Sequence, residues 1–336
     1  MARMDLHRVL LSTLAVVLVP SLTGCPTTWN CNPPEEAFDV DDPLTVEQLE
    51  ALATDWGVED WMELDCESVC SARYSDERGW TVGTTDSCEL VQPTVDGDGA
   101  MVEEGHIRCS GTGYEYLCEG RRPLGYVEAE LDGGADELGR ALVAMAVLEA
   151  ASVLAFEELA GQLEGVDAPA QLVARCRAAA EDERRHARLL TLLVEARGLA
   201  VPAPHTQAEI RQRSLVEIAE HNAVEGCVSE TFAALTARVF AERSTSPTLR
   251  RVFTTIAADE TRHGQLAWDL RAFFDTKLGA DERARVDAAQ ARALDQLPSF
   301  ARQYAGLPAA FGGTSAETFE ALGRTLGGRL RTQRAA

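Results

Sequence analysis

Two ten-residue stretches hold the residues best suited to chemistry. One is Ala180-Glu-Asp182-Glu183-Arg-Arg185-His186-Ala-Arg-Leu189, the other Ala257-Ala-Asp259-Glu260-Thr-Arg262-His263-Gly-Gln-Leu266. They share Ala, Asp, Glu, Arg, His and Leu in register, 77 positions apart. In each, Glu and His stand at i and i+3, neighbours on one face of a helix. A single Glu-x-x-His among arginines and glutamates is ordinarily a solvated ion pair. Two in register are better explained by a carboxylate and an imidazole that each help hold a metal ion inside a helical bundle. A dinuclear site also needs a carboxylate from each of two further helices. Glu149 lies 34 residues before Glu183, and Glu225 lies 35 before Glu260. Aligning these two also aligns Phe156 with Phe232, each seven residues on and so on nearly the same face. The expected ligands are therefore Glu149, Glu183, His186, Glu225, Glu260 and His263. His221, one turn before Glu225, is a further base or ligand, or a satisfied histidine. Glu157, Glu158 and Glu230 fall off the ligand faces and rank as second choices. Cys176 is two turns from Glu183, and Cys227 points about 200° away from Glu225, so both read as core residues or one disulfide.

These residues need helices to carry them. Periodicity places helices at about 136–163, 170–197, 208–243 and 248–277, with two more near 281–303 and 315–331. The breaks at 165–169 and 244–247 are short, and short links make antiparallel hairpins. The break at 198–206 carries Pro202 and Pro204. If the third helix starts late, residues 199–212 reach about 45 Å extended, against about 42 Å for a 28-residue helix. The middle link can therefore cross the length of a bundle.

The paired Asp-Glu-x-Arg-His motifs, each preceded by a helix with one glutamate at this spacing, resemble the ferritin-like di-iron carboxylate superfamily, and their form most resembles its oxygenase branch. The chain is also similar to ferritin-like domain lipoproteins of high-GC bacteria. The resemblance covers roughly 130–278. It implies an all-α ferritin-like four-helix bundle with a long middle crossover; the cysteines before residue 120 and the loss of helical period from Gly79 to Cys118 read as a small disulfide-rich α+β domain preceding it. It implies two iron ions, with manganese or zinc as alternatives. Glu183 and Glu260 would bridge the metals, Glu149 and Glu225 would be terminal or bridging, and His186 and His263 would bind one ion each. Asp182 and Asp259 would steady the histidines, with Arg185 and Arg262 as ionic partners.

The rest of the chain sets the context. Arg3 and Arg8 precede an apolar run from Val9 to Val19, then Leu22-Thr-Gly-Cys25. A basic start, a short apolar stretch and small residues read as a secretory signal, and the tetrad resembles a bacterial lipobox. The expected order is signal peptide 1–24, tether 25–43, disulfide-rich domain 44–125, bundle 130–279 and C-terminal helices 280–336. Cys25 would be lipidated, anchoring the protein in the cell envelope, with Pro26 favouring the outer membrane. Cys31, Cys66, Cys70, Cys88, Cys109 and Cys118 read as a disulfide framework whose pairing the sequence leaves open. Thr45-Val-Glu-Gln48 is a capping-box pattern, and 59–73 has the period of a short helix. No charge-free apolar stretch after residue 25 is long enough to suggest a transmembrane helix. A net charge of −23 argues against nucleic acid as a partner.

Six ligands on two ions leave open coordination positions, which favours reactivity toward oxygen or peroxide. No Cys-x-x-Cys pair exists to supply electrons in the rubrerythrin manner, and no tyrosine lies between Tyr126 and Tyr304 to hold a radical. The function expected is an envelope-anchored dinuclear, iron-type oxidase with an electron donor that the sequence does not identify. The alternatives are a non-enzymatic metal-sequestering lipoprotein and a structural envelope protein with a vestigial bundle.

Overall fold

The computed structural model describes residues 4–17, 36–56, 58, 60–78, 81–97, 101–114, 121–123, 126–127, 136–206 and 213–335. The chain forms two compact units, residues 30–116 and residues 1–29 with 117–336. The first described helix, α1 (Leu6–Val17), belongs to the larger unit.

The small unit contains β1 (Glu36–Leu44), α2 (Val46–Trp56), α3 (Cys66–Arg78), β2 (Thr81–Val91), β3 (Thr94–Val95), β4 (Met101–Glu103) and β5 (Gly105–Tyr114). β5 is the central strand of a sheet ordered β1-β5-β2, antiparallel on both sides. Thr45 and Gln48 close the expected capping box at the start of α2, with Thr45 N donating to Gln48 Oε1 at 2.9 Å. Cys66 and Cys70 share one face of α3. Their disulfides, Cys66–Cys88 and Cys70–Cys109, bind that face to β2 and β5 over a core of Phe38, Val40, Leu49, Val69 and Ile107. Cys31 and Cys118 lie outside the described residues. The tether expected over 25–43 is too long. Its part from Glu36 on is strand β1, because Phe38 and Val40 alternate with acids and bury one face. Pro43 is tolerated because β1 is an edge strand. The helix expected at 59–73 begins late: a 3₁₀ turn at Trp61–Glu63 comes first.

The larger unit is helical. After β6 (Tyr126–Val127) come α4 (Glu137–Gly165), α5 (Ala170–Glu195), β7 (His205–Thr206), α6 (Leu215–His221), a π-helical segment (Asn222–Glu230), α7 (Thr231–Arg243), α8 (Pro247–Asp275), α9 (Ala280–Arg302) and α10 (Ala316–Ala335). Their starts follow local chemistry. Asp136 Oδ1 accepts from Gly139 N at 2.7 Å to cap α4. Ser214 and Glu217 form a capping box on α6, and Ser246 caps α8 with Pro247 in its first turn. α4 lies along α5, α7 and the π segment lie along α8, and α5 touches α8. The links 166–169 and 244–246 are short, and 196–214 is long. The long link is fastened where β7 pairs antiparallel with β6. The third expected helix, 208–243, is in fact three segments with a π turn in the middle, and this changes the site.

α1 falls within the segment read as a signal peptide. It buries Leu6, Val9, Leu10 and Leu14 against α7, α8 and α10 and contributes no residue to the site described below. One described helix, α4, is long and apolar enough to cross a membrane by length and composition. Most of that stretch is buried inside the protein, as in the central helix of a packed core.

Candidate metal centre

α5 and α8 bring their motifs face to face. Glu183, His186, Glu260 and His263 are each at most 4% exposed. Two groups of possible ligand atoms result, each within a 4.8 Å span: Glu149, Glu183, His186 and Glu260, and Glu183, Glu230, Glu260 and His263. Each group has one imidazole and one carboxylate of its own, and both share Glu183 and Glu260. The histidine rings are 6.1 Å apart, centroid to centroid.

The two rings are held in the same way. Nδ1 faces the carboxylates: that of His186 lies 3.2 Å from Glu149, 3.5 Å from Glu183 and 3.3 Å from Glu260. That of His263 lies 2.8 Å from Glu183 and 3.6 Å from Glu260. Nε2 faces an aspartate of the opposite helix, Asp259 for His186 at 3.0 Å and Asp182 for His263 at 3.3 Å. Arg185 and Arg262 each donate to both aspartates, at 2.6–2.9 Å. A metal-binding histidine is ordinarily fixed in this way, with one nitrogen on a carboxylate and the other free for the ion. The motif residues Asp182, Arg185, Asp259 and Arg262 thus form a belt that crosses between the helices.

Glu225 is not among the clustered ligands. Its Oε1 accepts from Arg122 Nη2 at 2.7 Å in a buried ion pair. Glu230, fully buried, takes its place in the cluster. On an unbroken α-helix the two glutamates point about 140° apart. The π segment, with its i→i+5 bonds, winds less per residue and turns Glu230 inward. No helical-period reading anticipates this. The available sign is the run of small and polar residues around Gly226 and Ser229 in a stretch that is nevertheless buried. His221 is also away from the cluster. Burial and the nearby Arg213, Arg121 and Arg122 hold its imidazole well below the usual histidine range. Glu157 pairs with Arg184 and Glu158 with Arg213. Cys176 and Cys227 are buried and unbonded to each other, and burial pushes the Cys176 thiol up to about 11.

The electrostatics show what the cluster lacks. Burial and the charge of Glu183 push Glu149 well above the carboxylate range, and burial with Glu260 and Glu183 does the same to Glu230. Burial opposes ionisation of Glu260 too, but His263 and His186 outweigh it and hold it low. Burial opposes charging His263, but Glu260, the hydrogen bond to Asp182 and the nearby Glu183 raise it. Four buried carboxylates thus crowd one another, and a positive charge at their centre would relieve that repulsion. Both oxygens of Glu230 are buried without a hydrogen-bond partner, and the adjacent Glu260 offers it no donor unless a proton is shared. Nδ1 of His263, though close to Glu183, also makes no well-aligned hydrogen bond. Orphaned carboxylate and imidazole atoms aimed at one point fit divalent cations. The oxygen-rich set with two imidazoles suits iron or manganese, with zinc able to compete. Loading should release protons.

A cavity of about 50 Å³ adjoins the cluster. Glu149, Glu183 and Glu260 form one wall, and Met145, Phe240, Phe253 and Ile256 form much of the rest.

No family model, curated protein or solved structure matches this chain. Its functional reading therefore rests on these residues and their geometry.

One consequence is directly measurable. Glu230→Leu replaces an unpartnered buried carboxylate with an apolar side chain of similar size. The metal-free protein should gain about 1–3 kcal/mol in urea unfolding, while metal content falls by one ion per chain. A less stable metal-free variant would mean that Glu230 has a partner in solution.

Proposed function

We propose that the helical unit is a ferritin-like four-helix bundle whose dinuclear centre, with iron as the resident metal, reacts with oxygen or peroxide. The observation that carries this is the pair of ligand groups sharing Glu183 and Glu260. When bound, iron would supply one-electron redox chemistry. The chain's own residues set the conditions for it. Glu149 and His186 would hold one ion, Glu230 and His263 the other, and Glu183 and Glu260 both. Asp259 and Asp182 keep the Nε2 protons in place, so each Nδ1 presents its lone pair to the interior. Arg185 and Arg262 keep those aspartates ionised: hydrogen bonds to His263 and the two arginines outweigh burial at Asp182 and depress its carboxyl. The apolar wall of Met145, Phe240, Phe253 and Ile256 excludes bulk water and limits entry to small molecules. Thr236 beside the cavity donates its hydroxyl back to the Phe232 and Ala233 carbonyls. Electrons for repeated turnover would come from a separate donor.

The test is anaerobic loading with Fe(II), then oxygen or peroxide, with the near-ultraviolet spectrum and the number of turnovers recorded. A spectral change with multiple turnovers is expected. Two bound ions without turnover would make the chain a metal-holding protein instead. Absence of stoichiometric metal would leave a structural role.

The anchor completes the proposal: the chain is exported and held in the envelope, facing periplasm or exterior, by lipid on Cys25. That residue lies outside the described residues, and Leu22-Thr-Gly-Cys25 at the end of the apolar run supports the reading. Cys25→Ser should abolish acylation and release the protein from membranes. A Cys25→Ser chain that still carries acyl groups and pellets with membranes would contradict it.

A further inference from the structure

The π segment that delivers Glu230 is gripped from outside its own helix by two consecutive residues of the chain before α4. Arg121 Nη2 donates to Asn222 Oδ1 at 2.9 Å, and Arg122 Nη2 donates to Glu225 Oε1 at 2.7 Å. Both arginines are buried, and Arg121 is 1% exposed. The guanidinium of Arg121 lies over the Phe156 ring at 5.3 Å, and its carbonyl accepts from Ser152 Oγ at 2.8 Å, three residues beyond Glu149. Gly226 makes the space: a Cβ there would come within 2.2 Å of Arg121 Nη2. Asn222 in turn donates to the Ala267 carbonyl at 3.0 Å, one turn past His263. Arg121 therefore ties the start of the π segment to α4, and Asn222 ties it to α8, the helices that carry Glu149 and His263.

Glu225 holds the repeat position equivalent to Glu149, yet Glu230 reaches the cluster. We infer that the Arg121–Arg122 pair selects the ligand: by holding Asn222 and Glu225, it fixes the π register that turns Glu230 inward and keeps Glu225 away from the metals. Both are positioning residues. Without Arg122, Glu225 is a buried carboxylate with its ion-pair partner removed, and an unpaired buried charge is strongly unfavourable. The neighbouring cations are then its best alternative partner, reached by rewinding the segment toward an α register. The inference rests on the dinuclear reading above.

The experiment measures cobalt(II) stoichiometry and cobalt visible absorption in the full chain, with no activity required. Wild type is expected to bind two ions. Glu225→Gln should also bind two, since its amide oxygen still accepts from Arg122. Glu230→Gln should fall to one. In the Arg122→Gln/Glu230→Gln double variant the second ion should return, with Glu225 supplying the ligand, and Arg122→Gln alone should shift the cobalt bands. If Arg122→Gln does not fold, Arg121→Met keeps the bulk over Phe156, loses the bond to Asn222, and should shift the same bands. Loss of an ion in Glu225→Gln would overturn the inference. So would no recovery in the double variant together with unshifted bands in the single one, or unshifted bands in Arg121→Met. Wild type binding no cobalt would instead overturn the dinuclear reading itself.

Discussion

Glu260→Ala should lose both metal ions and also destabilise the metal-free protein. Glu260 lies in both ligand groups, so its removal takes a donor from each ion at once. Its carboxylate is 3.3 Å from His186 Nδ1 and 3.6 Å from His263 Nδ1, and it is held ionised by them. Alanine leaves two buried imidazoles short of a counter-charge, a loss on the order of 3–5 kcal/mol for a broken buried pair. The sign is opposite to that for Glu230→Leu, although both residues are glutamates a few ångströms apart. The difference is that Glu260 faces histidines and Glu230 faces other carboxylates. Metal content after gel filtration and urea unfolding in chelator measure both effects. A Glu260→Ala chain that retains two ions would show that this carboxylate does not bridge.

Reduction should unfold the small unit and leave the helical one folded. The bonds Cys66–Cys88 and Cys70–Cys109 close loops of 22 and 39 residues, and both anchor α3 to the sheet. Loop-closure entropy assigns them about 3 and about 4 kcal/mol, less than additive because the loops overlap. The core beneath is small, built chiefly from Phe38, Val40, Leu44, Leu49, Val69 and Ile107, so it has little reserve. With reductant, protease should cut within 36–114 while helical circular dichroism changes little. Resistance of that stretch to cleavage would mean that its core suffices without the cross-links.

The sequence and the structure agree where a pattern is local and repeated. The paired Glu-x-x-His motifs, the Thr45–Gln48 capping box, and the short breaks near 165–169 and 244–247 are each written in a few adjacent residues whose chemistry acts on the spot. Glu230 could not be reached in that way. Its inward direction depends on a change of helical winding, and the two arginines touching that segment lie 101 and 103 positions from their partners. β1 was obscured for a related reason. Proline and acids suggested a loop, but only pairing with β5 makes the alternation of Phe38 and Val40 into a buried face. The cross-helix exchange, Asp182 to His263 and Asp259 to His186, is likewise invisible until α5 and α8 are packed.

Six side chains, Glu149, Glu183, His186, Glu230, Glu260 and His263, should hold two metal ions between them. Elemental analysis of the protein purified from its native source, alongside the Glu230→Leu variant prepared in the same way, separates the outcomes. Two ions per chain, chiefly iron, are expected in the native protein and one ion in the variant. Less than one ion per chain in the native protein, or two in both, would contradict this.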